Sequence, residues 1–136
     1  MKHKISFLVL LLTAVFAVLV FAGCGADSVS LGNTVWVPLK AADASGDEVD
    51  LNDIYNTYYS NYQGSLSFEE NKTFELWMGP GDPTDGTHTG MYEQKDGKIY
   101  VHFDNDAEET FDIRNNGETT LIVVPYGEYE VYFSKQ

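Results

Sequence analysis

From Thr34 to the C-terminus, apolar side chains recur at every second position in short runs broken by turn residues, and this period of two narrows the available folds most. Successive side chains on a strand point to opposite faces, so the pattern describes an antiparallel sheet with one buried face. Eight runs qualify. Val35, Val37 and Leu39 alternate in the first, Leu66 and Phe68 in the second, and Phe74, Leu76 and Met78 in the third. After a long loop come a short strand around Met91 and Tyr92, then Ile99, Val101 and Phe103, then Phe111 and Ile113. Leu121 with Val123, and Val131 with Phe133, complete the set. Asp96-Gly97, Asn115-Asn116-Gly117 and Tyr126-Gly127-Glu128 supply turns, because glycine accepts positive φ without strain.

Eight short strands joined mostly by hairpins favour an all-β, antiparallel up-and-down β-barrel, since closure removes exposed sheet edges. A two-sheet β-sandwich is the alternative. The inward positions are bulky: Phe68, Phe74, Phe103, Phe111 and Phe133, with Leu66, Leu76, Met78, Ile99, Ile113 and Leu121. A barrel of eight strands is just wide enough to be filled by side chains or to hold one small ligand, and so many large residues predict a filled core. The same alternation puts Trp77, Tyr100, Ile122, Val124 and Tyr132 outside, with Trp77 the candidate for partner contact.

One segment breaks the rhythm. Residues 50–62 predict a short helix with Asp50 as N-cap, Asp53 in the first turn, and Leu51, Ile54, Tyr55, Tyr58 and Tyr62 on one face. It would cap a barrel end, and Tyr55, Tyr58 and Tyr62 would offer flat apolar faces with polar tips at the mouth. With Trp77 they form the candidate binding surface.

The first residues carry an address. Lys2 and Lys4 precede an apolar run over residues 5–22, and Gly23 leads into Cys24, the chain's one cysteine. This resembles the signal peptide and lipobox of bacterial lipoproteins. The resemblance implies a signal peptide over 1–23, a lipid on Cys24 that anchors the protein to a bacterial membrane, and an extracytoplasmic, cell-surface location. An 18-residue apolar run is also long enough for an uncleaved span. The cysteine placed directly after it decides for lipidation. Residues 24–33, small and polar, then form a tether, and 34–136 form the barrel domain. Stability has to come from core burial, because a single cysteine excludes an intramolecular disulfide.

Removing Lys2 and Lys4 with the leader leaves six basic against 21 acidic residues, so the mature chain carries a net charge of −15. Phosphate backbones would repel it, and no nucleic-acid partner is expected.

The early Trp36, the strand Gly64 to Phe68 leading to Thr73-Phe74-Glu75-Leu76, Gly90 and Tyr92 before Gly97-Lys98-Ile99, and the terminal Tyr129 to Phe133 together resemble the small lipocalin-like domains of exported bacterial lipoproteins. The resemblance implies the barrel fold and, as an alternative function, a carrier of small hydrophobic ligands using a calyx lined by Phe68, Phe74 and Phe103.

Chemistry finds little purchase. Cys24 is assigned to lipid, His102 is expected on a strand exterior beside Tyr100, and no activated-nucleophile motif, phosphate loop or zinc spacing occurs. Asp82, Asp85 and His88 share the loop from 79 to 89, whose glycines and prolines account for it as turn chemistry rather than a metal site. Residues 104–109 read as an acidic hairpin turn. No catalytic residue, metal or cofactor is expected. The chain reads as a lipid-anchored, non-catalytic binding or interaction module whose partner is a protein, a glycan or a small molecule.

Overall fold

The computed structural model describes residues 29–54, 63–79, 86–115 and 117–136. The leader, Cys24, and Tyr55, Tyr58 and Tyr62 lie outside the described residues. Among the described residues nine strands form one antiparallel sheet: β1 (Thr34–Ala42), β2 (Glu48–Val49), β3 (Gln63–Phe68), β4 (Thr73–Gly79), β5 (Thr87–Lys95), β6 (Lys98–Phe103), β7 (Glu108–Asn115), β8 (Thr120–Tyr126) and β9 (Tyr129–Lys135). Strands β3 to β9 follow in chain order, and β1 pairs with both β3 and β9, which closes an eight-stranded up-and-down barrel and excludes the sandwich. The two-residue β2, which the alternation does not reveal, adds to β1 through Ala41 and Ala42. Every fully buried core residue described falls between Leu31 and Phe133, so a chain beginning at Gly25 contains the closed sheet and its core.

The inward faces are mostly those expected. Leu66, Phe68, Phe74, Leu76, Ile99, Val101, Phe111, Val131 and Phe133 are buried in one cluster with Tyr92 and Trp36. Edge-to-face rings carry the packing along the interior: Phe68 on Tyr92 at 4.8 Å, Phe74 on Phe103 at 5.2 Å, and Phe74 on Phe111 at 6.3 Å between centroids.

Two strands are inverted relative to expectation. In β1 the inward residues are Thr34 and Trp36, while Val35 and Leu39 are 42% and 56% exposed. The register shifts between Pro38 and Lys40, so the extra residue moves the inward position to Ala41. Pro38, which has no amide proton to donate, sits where β1 is paired with β9 alone. In β8 the core receives Ile122 and Val124, both fully buried, instead of Leu121 and Val123. Leu121-Ile122-Val123-Val124 is apolar on both faces, so its own pattern cannot choose between them. The choice comes from pairing, which sets Ile122 opposite the inward Phe133. The expected outer patch therefore loses Ile122 and Val124.

Three turns close alike, at 43–47, 69–73 and 103–107. In each, the first amide donates across the turn to the fifth carbonyl, and the fourth amide donates back to the first carbonyl. This is a type I turn followed by a left-handed residue, and Gly46, Lys72 and Asp106 hold that position at φ 86°, 69° and 67°. Between β5 and β6 the two-residue turn Asp96-Gly97 has φ positive at both positions, as the Asp-Gly pair predicts.

The antiparallel order gives the barrel two distinct ends. At one lie the turns 69–72 and 96–97 and residues 117–119, with the start of β1 and the end of β9. Leu31 is buried there, and Gln94 donates its side-chain amide to the Val29 carbonyl at 2.9 Å. This end is closed. At the other lie the connection that follows β1, described over 43–54, and the turns 104–107 and 127–128. The helix α1 (Leu51–Ile54) sits in this connection, with the Asp50 carboxylate accepting the Asn52 amide at 2.8 Å as the expected N-cap, and Leu51 and Ile54 pack against the core.

Candidate functional site

Among the described residues, the second end presents a mouth. Leu76 and Met78 on β4, Phe103 on β6 and Tyr126 on β8 share the inward parity of the core and line a concavity of about 320 Å³. That volume lies at the lower edge of the range for small-molecule sites. Two polar side chains join them. His88 stands opposite the inward Leu76 across β4–β5, and Glu109 opposite the inward Val101 across β6–β7, so both belong to the interior face. The His88 ring meets Phe103 edge-on at 6.0 Å. Asn105, Ala107 and Glu108 from the β6–β7 turn, and Pro125 and Gly127 beside the β8–β9 turn, complete the rim.

Glu109 is reached by solvent, yet the mouth surrounds it closely enough to remove part of its hydration. Burial pushes its carboxyl above the usual carboxylate range, and the neighbouring His88 opposes that shift. Among the described residues, no lysine or arginine lines the mouth.

The sequence pattern predicts a loop at His88 and an acidic turn at Glu109. Both lie on strands, because β5 begins at Thr87 and β7 at Glu108. Thr87-His88-Thr89-Gly90 and Glu108-Glu109-Thr110 contain no apolar residue to reveal their inward side. The available signal was continuity of parity from Tyr92 and Phe111.

Gly90 positions the mouth. A Cβ there would lie 2.1 Å from the His102 carbonyl oxygen and 2.9 Å from the Phe103 Cα, so only glycine lets β5 approach β6 here. His88 and Phe103 are brought together just beyond this contact.

Of the residues proposed for a binding surface, Trp77 is 7% exposed and offers little area to a partner. The calyx imagined between Phe68, Phe74 and Phe103 is occupied by the rings themselves: Phe68 and Phe74 are 0% and 2% exposed, and Phe103 alone of the three faces the mouth. His102 lies on the outer wall as expected, 3.3 Å from Glu108 and 3.7 Å from Asp106. A wider, shallower depression of about 400 Å³ runs over the outside of β5–β7 past Met91, Tyr100 and His102. Glu109 lines it too, beside the outward Met91, Tyr100 and His102, and it surrounds a bound molecule less fully than the mouth. Among the described residues, no group of three or more His, Cys, Asp or Glu side chains is placed to hold a metal ion.

Charge is divided between the ends. Lys72, Lys95, Lys98, Arg114 and Lys135 all lie toward the closed end, and Lys98 and Arg114 are engaged by Asp112 and Glu130. Asp43, Asp47, Asp50, Asp53, Asp104, Asp106, Glu108, Glu109 and Glu128 lie toward the mouth.

No family model matches the chain, and no curated protein sequence matches it. Two solved structures are similar in fold. One is a lipocalin-like protein from Bacteroides uniformis, 15% identical, covering 78% of this chain and 98% of that one with a TM-score of 0.49. The other is an uncharacterized protein from Bacteroides eggerthii, 13% identical, covering 79% of this chain and all of that one with a TM-score of 0.48.

Proposed function

We propose that the protein is a lipid-anchored, extracytoplasmic and non-catalytic binding module whose barrel mouth takes a small molecule. The observation that carries the reading is the mouth itself: about 320 Å³ lined by inward apolar side chains and two inward polar ones, above an interior packed with aromatic rings. Such a site grips one end of a ligand and leaves the remainder outside. It differs from a deep hydrophobic calyx, since Phe68 and Phe74 fill the space that calyx would need. The leader and Cys24 support the anchor, and a lipid there would hold the module at the membrane while the tether lets it reach its ligand.

Native mass spectrometry of the chain from Gly25 to Gln136, exposed to an extract of its host's surroundings, tests the site. A retained small molecule, lost when Met78→Trp fills the mouth, is the expected result. A bare mass under all conditions removes the mouth reading and turns attention to the outer wall. The anchor is tested separately, by whether Cys24→Ser moves the protein from the membrane fraction to the soluble one.

A further inference from the structure

We infer that the mouth selects an organic cation, a small amine or quaternary ammonium carrying an apolar body. The inference rests on the mouth being the binding site. Four of its properties point to this class. Glu109 is the acidic side chain that shares the interior face with the apolar lining, so a ligand whose body touches Phe103 and Met78 has its head beside a carboxylate. Phe103 and Tyr126 present aromatic groups in the same concavity, and the negative face of an aromatic ring attracts an ammonium. Among the described residues, no lining lysine or arginine competes for that carboxylate or offers a counter-charge to an anion. Around the opening, Asp104, Asp106, Glu108 and Glu128 lie on the adjacent turns and strand ends, while five of the mature chain's six cations lie toward the opposite end.

Together these create a field that falls off along the barrel axis. A cleft walled by low-dielectric protein and rimmed with one sign of charge concentrates the opposite sign at its entrance. Fatty acids and phosphorylated compounds are repelled from the opening. A neutral apolar molecule meets the same contacts without the field.

The burial that raises the Glu109 carboxyl supports the same assignment, because an ammonium placed beside it supplies the stabilisation that lost water no longer provides.

Three probes of similar size separate the terms: 2-phenylethylamine, 2-phenylethanol and 3-phenylpropanoate, titrated at mildly alkaline pH into the chain from Gly25 to Gln136. The amine is expected to bind roughly tenfold or more tighter than the alcohol, and the anion more weakly than either. Raising salt from about 20 mM to about 300 mM should weaken the amine and leave the alcohol unchanged. Glu109→Gln should bring amine and alcohol to within about twofold of each other, and its retained alcohol affinity reports that the variant is folded. Glu108→Gln, at the rim, should reduce the salt dependence with a smaller loss of amine affinity. Equal binding of amine and alcohol by the unaltered chain overturns the cation assignment and leaves the mouth as a binding site. Binding of none of the three overturns both.

Discussion

The indole N–H of Trp36 donates to the hydroxyl oxygen of Thr34 at 2.8 Å, two residues away on the same inward face of β1. Thr34 in turn donates to the Leu31 carbonyl, so one hydroxyl satisfies a buried ring and a buried backbone group at the closed end. Trp36 is 0% exposed and has no water to turn to. A buried group stripped of its partner costs about 1–3 kcal/mol. Thr34→Val keeps the shape, removes both bonds and should destabilise the domain by about 2–4 kcal/mol in urea unfolding. Thr34→Ser retains the hydroxyl and should cost about 1 kcal/mol.

Gly90 and Gly117 separate close approach from backbone freedom. At Gly90 an added Cβ strikes the His102 carbonyl, and relief requires parting β5 from β6. Gly90→Ala should cost at least about 3 kcal/mol or prevent folding, as overpacking against a fixed backbone does. Gly117 has φ +91° with open space around its Cβ position, so Gly117→Ala should cost about 1–2 kcal/mol through backbone strain alone. Thermal unfolding followed by circular dichroism compares the two.

Glu109 gives the domain's stability a pH dependence. Its folded carboxyl titrates above the unfolded value because of burial, so the folded state holds the proton more tightly. The associated stability is fully present below the unfolded value and is lost as pH rises through the folded one. Glu109→Gln should therefore raise the melting temperature at pH 7, with the gain shrinking toward zero as the pH is lowered below about 4. A gain independent of pH would show that the carboxylate is not the cause.

The ion pair between Lys98 and Asp112, at 2.6 Å, joins neighbours across β6 and β7 on the outer wall. Both side chains are substantially exposed, and water screens the attraction. Replacing either by alanine should leave the urea-unfolding midpoint nearly unchanged, and a double-mutant cycle should show weak coupling between them. The Asp112 interaction nonetheless raises the Lys98 ammonium above its ordinary value.

Most of the barrel was legible in the linear chain. Alternating pairs such as Phe74 with Leu76, and Val131 with Phe133, report a strand and its buried face together, because side chains on a strand alternate with a period of two. Asp96-Gly97 marked its hairpin because few other residue pairs accept two positive φ angles. Asp50 marked the start of α1 for a comparable local reason, its carboxylate meeting an amide two residues on.

The mouth was not legible, and neither was the inward side of β1 or β8. Val35 to Leu39 and Leu121 to Val124 carry apolar residues on both faces, so which face goes in depends on the partner strand and, in β1, on the irregularity between Pro38 and Lys40. His88 and Glu109 sit in polar stretches whose parity is inherited from distant Tyr92 and Phe111. Local sequence determined the strands, the turns and the acidity, because each depends on residues close together in the chain. Tertiary structure alone decided which carboxylate and which histidine enter the mouth, because inward and outward have no meaning until β1 meets β9 and the sheet closes.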